Sequence, residues 1–81
     1  MNELLHNRSE KHIIVQILVA CKDKEATKLQ IMDEVYLSDR ECEVYLSFMV
    51  KEGLLRHCEE TKKYKVTEIG LELLRAASLS D

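Results

Sequence analysis

The stretch LSDRECEVYLSFMVKEG (residues 37–53) sets the fold. Ser38 followed by Glu41 is an S-x-x-E capping box. The serine hydroxyl accepts from the Glu41 backbone N–H while the Glu41 carboxylate reaches back to Ser38. A helix therefore starts here and is expected over 39–52. Gly53 supplies the left-handed residue that ends it. Cys42, Tyr45, Leu46, Met49 and Val50 recur at helical spacing and form the buried stripe, leaving Arg40, Glu43, Val44, Ser47 and Lys51 on the outer side. The stretch carries four acids (Asp39, Glu41, Glu43, Glu52) against two bases (Arg40, Lys51). The stretch as a whole is thus acidic.

Upstream, Asn7 or Ser9 caps a first helix expected over about 8–22, whose apolar stripe is Ile13, Ile14, Ile17, Leu18 and Cys21. The run KDKEA breaks it. Thr27 caps a short second helix over about 28–35, with Leu29, Met32 and Ile31 on its inner face, and Tyr36 and Leu37 make a tight turn into the 39–52 helix. Downstream the hydrophobic period changes from helical to alternating. LLRHCEE and KYKVT read as two strands around the polar turn ETKK, with Tyr64 and Val66 inward and Lys63 and Lys65 outward. This hairpin spans about 54–66. Thr67 then caps a last helix over about 67–78, and Glu68 in its first turn suits the helix dipole. A short helix, a tight turn and a capped helix form a helix-turn-helix, and a hairpin directly after it is a wing. The expectation is one mainly α (α+β) winged helix-turn-helix domain over residues 1–81, in the order helix, helix, helix, hairpin, helix.

Composition narrows the function. Eighty-one residues bury a small core, which makes oligomerisation a reasonable expectation. The net charge of −3 argues against a non-specific coater of nucleic acid. The longest apolar run, IIVQILVAC (13–21), is too short to span a bilayer and is followed by charge, not a cleavage site, so a cytoplasmic protein is expected. Three cysteines (Cys21, Cys42, Cys58) at irregular spacing make neither a disulfide framework nor a zinc motif; reduced thiols are expected, with redox sensing the sharper reading. His6, His12 and His57 are scattered. With no glycine-rich phosphate loop, metal cluster or nucleophile–base pairing at a known spacing, no enzyme, cofactor or metal site is expected.

The motifs Ala26-Thr27-Lys28, Ile31-Met32, Leu37-Ser38, Tyr45-Leu46, Glu52-Gly53-Leu54 and Tyr64, Thr67 and Gly70 resemble those of the small archaeal winged-helix DNA-binding and transcriptional-regulator proteins, over about residues 7–77. The resemblance implies an archaeal source, a winged-helix fold and DNA as partner. Members of that group often extend the last helix into a long dimerising coiled coil; here it has room for about a dozen residues, too few for sustained heptads.

In a helix-turn-helix the second helix enters the major groove and its N-terminal residues meet base edges. The residues expected at DNA are Ser38, Arg40, Glu43, Val44, Ser47 and Lys51 on the 39–52 helix. There Arg40 suits guanine, Glu43 cytosine N4 and Val44 a thymine methyl. Lys62, Lys63 and Lys65 are expected on phosphates from wing 59–65, with Lys28 at a helix N-terminus beside another. The hairpin holds four bases and two acids, a balance of +2 against −5 for the rest. Leu4, Leu5, Leu71, Leu74 and Ala77 are expected at a homodimer interface, with Ile69, Leu73 and Ala76 forming a second apolar line on the last helix. The function expected is sequence-specific binding of double-stranded DNA by a homodimeric transcriptional regulator with no small-molecule substrate. The rival is a winged-helix protein-interaction module without DNA binding.

Overall fold

The computed structural model of the chain describes residues 9–79, with side chains through residue 77. The helices are α1 (Glu10–Ala20), α2 (Lys28–Val35), α3 (Asp39–Lys51) and α4 (Glu68–Leu79); the strands are β1 (Ala26–Thr27), β2 (Leu55–Cys58) and β3 (Lys63–Val66). All strand pairs are antiparallel in the order β1-β3-β2, with Leu55 opposite Val66, Arg56 opposite Lys65, His57 opposite Tyr64 and Cys58 opposite Lys63. This is a winged helix: three helices, a hairpin and a closing helix.

The caps work as the sequence requires. Ser9 accepts from the His12 N–H at 3.1 Å and starts α1 two residues later than the expected boundary; Cys21 closes it. Ser38 accepts from the Glu41 N–H at 3.1 Å and donates its own N–H to the Glu41 carboxylate at 3.0 Å, a complete capping box on α3. Thr27 and Gln30 form a second such box on α2. Gly53 lies at φ +80, ending α3 as expected.

Two expectations are corrected. Strand β1 is new: two residues are too short to show alternation, and Thr27 serves both as strand residue and as helix cap. On α2 Ile31 is buried and Met32 packs against the core as expected, but Val35, one turn from Ile31, is the second buried residue and Leu29 is 73% exposed. Two residues separate Leu29 from Ile31, which is roughly 200° around a helix, so both cannot face inward.

The core gathers Ile13, Ile17, Leu18 and Cys21 of α1, Ile31 and Val35, Leu37, Cys42, Leu46 and Met49 of α3, Leu54, Leu55, Val66 and Leu74. Among the described residues it contains no buried polar or charged side chain. At its seam Gly70 of α4 meets the start of the hairpin. A Cβ there would lie 2.4 Å from the Leu54 carbonyl oxygen and 2.7 Å from Val66 Cγ2. The Thr67 hydroxyl accepts from the Gly70 N–H at 3.1 Å and faces the Gly53 and Leu54 carbonyls; the Thr67 N–H also donates to the Leu54 carbonyl at 3.1 Å.

Gly70→Ala is therefore expected to destabilise the domain despite alanine's better helix propensity, because the atom in the way is backbone. Overpacking of this kind costs about 2 kcal/mol, or roughly 10 °C in melting temperature for a domain this small. Thermal denaturation followed by far-UV circular dichroism measures it; an unchanged midpoint would mean that α4 does not bear on the hairpin this closely.

Candidate nucleic-acid interface

The outer face of α3 is open. Arg40, Val44, Ser47 and Lys51 are spaced four, three and four residues apart, hence in one line along the helix, and all four are exposed. Ser38 and Glu43 are exposed beside them. The line lies opposite the buried Cys42, Leu46 and Met49, as the sequence spacing predicts. Tyr45 is half-buried, while Val50 of the expected inner stripe is exposed at the edge.

Lys28 stands at the start of α2, as expected, and meets two carboxylates there. Its Nζ lies 2.9 Å from Asp39 Oδ1 and also in a short contact with Glu43 Oε1, so one ammonium bridges two carboxylates one turn apart on α3. The hydrogen bond to Glu43, then that to Asp39, holds the Lys28 ammonium above its usual pKa, against a smaller opposing effect of desolvation. In this structure Lys28 and Glu43, both expected at DNA, are thus paired with each other. Position accounts for this: Lys28 is the first residue of α2, and the turn through Tyr36 (φ 60) and buried Leu37 brings the start of α3 against it.

The hairpin separates its side chains by alternation. His57 and Tyr64 share the inner face with Leu55 and Val66; their rings stack with centroids 4.4 Å apart. With Leu46, Ser47, Val50 and Lys51 of α3 they line a cleft of about 350 Å³. Burial, then Glu43, raises the Tyr64 hydroxyl above its usual pKa. The opposite face carries Arg56, Lys63 and Lys65, with Arg56 directly across from Lys65. Lys62 sits at the tip in a left-handed conformation, its N–H on the Cys58 carbonyl at 2.8 Å. So Lys63 and Lys65 point outward as expected, and Lys62 stands apart from them at the tip. The sequence reading missed Arg56 as a member of this cationic face, although the register of the two strands would have paired it with Lys65. It also missed the cleft, which only the packing of the hairpin on α3 creates.

A second, apolar groove of about 310 Å³ runs between α1 and α3, lined by Glu10, Ile14, Val44, Tyr45 and Phe48. On α4 the structure corrects the expected dimer face. Leu74 is buried in the chain's own core, Leu71 packs against that core and Ala77 is half-buried. Among the described side chains of α4 the large open apolar residues are Ile69 (57% exposed) and Leu73 (40%), on one side of the helix with exposed Ala76. Leu4, Leu5 and His6 lie outside the described residues.

The cysteines differ chemically. Burial, then Glu34 and Cys42, pushes the Cys21 thiol up to about 12, and burial raises Cys42. Hydrogen bonds from the Thr61 side chain, then from the Thr61 and Glu60 backbone, hold the Cys58 thiol below its usual range. Among the described residues no group of three or more His, Cys, Asp and Glu side chains is arranged to hold a metal ion, and no helix is long and apolar enough to cross a membrane.

Comparison with known proteins gives four findings. The profile of the family described as winged helix-turn-helix matches residues 7–79. An uncharacterized protein of Archaeoglobus fulgidus is 33% identical over 75 residues, 93% of this chain and 84% of that one. Another, of Methanocaldococcus jannaschii, is 31% identical over 68 residues, 84% of this chain and 68% of that one. Among solved structures, that of Sso10a-2 from Sulfolobus solfataricus, described as a DNA-binding protein, superposes with a TM-score of 0.78 at 24% identity, over 85% of this chain and 74% of that one.

Thiol reactivity checks the geometry of the hairpin. A lowered pKa means more thiolate at a given pH, so at about pH 8 iodoacetamide is expected to modify Cys58 first, with Cys21 and Cys42 following only on unfolding. Peptide mass spectrometry over a time course reads the order; early loss of Cys21 would contradict its burial.

Proposed function

The chain belongs to the winged helix-turn-helix family, and from that premise we propose that it binds double-stranded DNA in a sequence-specific manner, as a homodimeric transcriptional regulator. The single observation that carries this reading is the exposed line Arg40, Val44, Ser47 and Lys51 on α3, beside a hairpin whose outer face and tip are cationic. In this reading α3 enters the major groove. Arg40, near its N-terminus, meets guanine, Val44 a thymine methyl, and Ser38, Ser47 and Lys51 the edges and flanking phosphates. Lys62, Lys63, Lys65 and Arg56 supply phosphate contacts, which carry affinity but no sequence information. Arg56 and Lys65 directly opposite each other repel, and a phosphate between them relieves that repulsion. The DNA-binding description of Sso10a-2 supports the reading through the shared fold. The chain acts here without cofactor or catalysis.

The homodimer is part of the same proposal. A single copy presents one helix to one half-site, whereas a two-fold pair reads successive major-groove turns. Ile69 and Leu73 of α4 are the apolar residues available for it, now that Leu71 and Leu74 have a place in the chain's own core.

The second reading, a protein-interaction module without DNA binding, has its support in the groove of Ile14, Val44, Tyr45 and Phe48. One experiment separates the two. Binding to a fluorescent mixed-sequence duplex is followed by anisotropy from about 20 to 200 mM salt, beside a Lys62→Ala/Lys63→Ala/Lys65→Ala variant. The DNA reading expects steep weakening with salt, and a log–log slope reduced by roughly 2 to 3 in the variant. Absence of binding even at the lowest salt would favour the protein-partner reading. For the dimer, Ile69→Ser/Leu73→Ser is expected to shift the mass seen by sedimentation equilibrium from two chains to one; a wild type that sediments as a single chain refutes it.

A further inference from the structure

We propose that Lys28 is a positioning residue for the reading end of α3: it neutralises Asp39 and Glu43 and holds Glu43 off the line of residues that meets the bases. This rests on the DNA-binding reading above and adds to it the residue that makes an acidic helix compatible with a polyanion.

Asp39 and Glu43 occupy the first two turns of α3, the part of the helix that comes nearest to base edges and phosphates. Both are largely exposed, at 78% and 65% of their side-chain surface. Left without a partner, two carboxylates beside Arg40 would oppose DNA, because like charges juxtaposed at an interface weaken it strongly. Lys28 meets both at once. It comes from α2 and so approaches from the seam between the two helices, on the flank of α3 away from Val44 and Lys51. Glu43 lies roughly 60–80° around the helix from the Arg40–Val44–Ser47–Lys51 line. The contact to Lys28 keeps its carboxylate on that flank. The three side chains together retain a charge of −1 where the two acids alone would carry −2. Arg40 is then the base that faces outward at this end of the helix.

Holding the fold together is a poor explanation for the cluster. Ion pairs this exposed contribute little to stability, and the α2–α3 junction already has two capping boxes and the buried Ile31, Val35, Leu37 and Cys42. A phosphate ligand is also a poor description of Lys28, whose ammonium already has two carboxylate partners.

The test is a double-mutant cycle on the 81-residue chain, read by anisotropy with a mixed-sequence duplex at about 50 mM salt. Its corners are wild type, Lys28→Met, Asp39→Asn/Glu43→Gln, and the triple variant, each checked for folding by circular dichroism. Lys28→Met is expected to weaken binding about tenfold in the wild-type background. In the Asp39→Asn/Glu43→Gln background it is expected to change binding less than about twofold. Lys28→Arg should bind as wild type does. Equal losses in both backgrounds would make Lys28 an ordinary phosphate ligand and overturn this inference alone. No binding by wild type or by the near-isosteric Asp39→Asn/Glu43→Gln variant would overturn it together with the DNA reading.

Discussion

The fold depends on the close approach of α4 to the root of the hairpin. Gly70 stands against the Leu54 carbonyl at a distance that admits no side chain, and Val66 closes the other side. The Thr67 hydroxyl caps α4 and faces the two carbonyls that follow α3. One residue thereby joins the end of α3, the start of β2 and the beginning of α4. Because Leu18 of α1 reaches the same point, the helix that opens the domain and the helix that closes it meet across Gly70. The wing is then not a loose appendage. Its base is fixed by this junction and its strand β3 by pairing with β1.

That rigidity places the exposed face of α3 and the cations of the wing. The two capping boxes begin α2 and α3 at set residues, and Tyr36 in the left-handed region turns the chain between them while Leu37 enters the core. With both helix starts fixed, the buried residues of α3 determine its rotation, and its rotation determines that Arg40, Val44, Ser47 and Lys51 look outward. The hairpin packs its His57–Tyr64 face toward α3, so alternation turns Arg56, Lys63 and Lys65 to the other side. The cations of the wing are a consequence of strand register, not of the turn sequence alone.

Much of this was legible in the amino-acid order because it is local. S-x-x-E, the glycine after α3, the change from helical to alternating period and Thr67 before an apolar helix are all signals within a few residues. What was not legible depends on contacts distant in sequence. Strand β1 exists only because Ala26 and Thr27 meet Tyr64 and Lys63. On α2 Leu29 was misplaced and Val35 missed because eight residues with Leu29, Ile31, Met32 and Val35 fit more than one rotation; packing selected Ile31 and Val35, with Met32 at their edge. Leu71 and Leu74 looked surplus because the core that takes them comes from residues far earlier in the chain. The pairing of Lys28 was hidden because its partners Asp39 and Glu43 are 11 and 15 residues away and belong to another helix.

The charge of α3 shows why composition is a weak guide to a binding face. Its stretch carries four acids, yet each has its own setting. Glu41 bonds to the Ser38 backbone as half of a cap. Glu52 is the residue that closes the helix, at the end opposite Arg40. Asp39 and Glu43 share Lys28. Electrostatic interactions between exposed charges fade beyond about 8–10 Å at ordinary ionic strength. A ligand approaching Arg40 therefore responds to that residue and its immediate neighbours far more than to the chain's net −3. An acidic protein and a helix face suited to a polyanion are compatible when the acids are locally paired, and here the pairing of two of them comes from a lysine on a different helix.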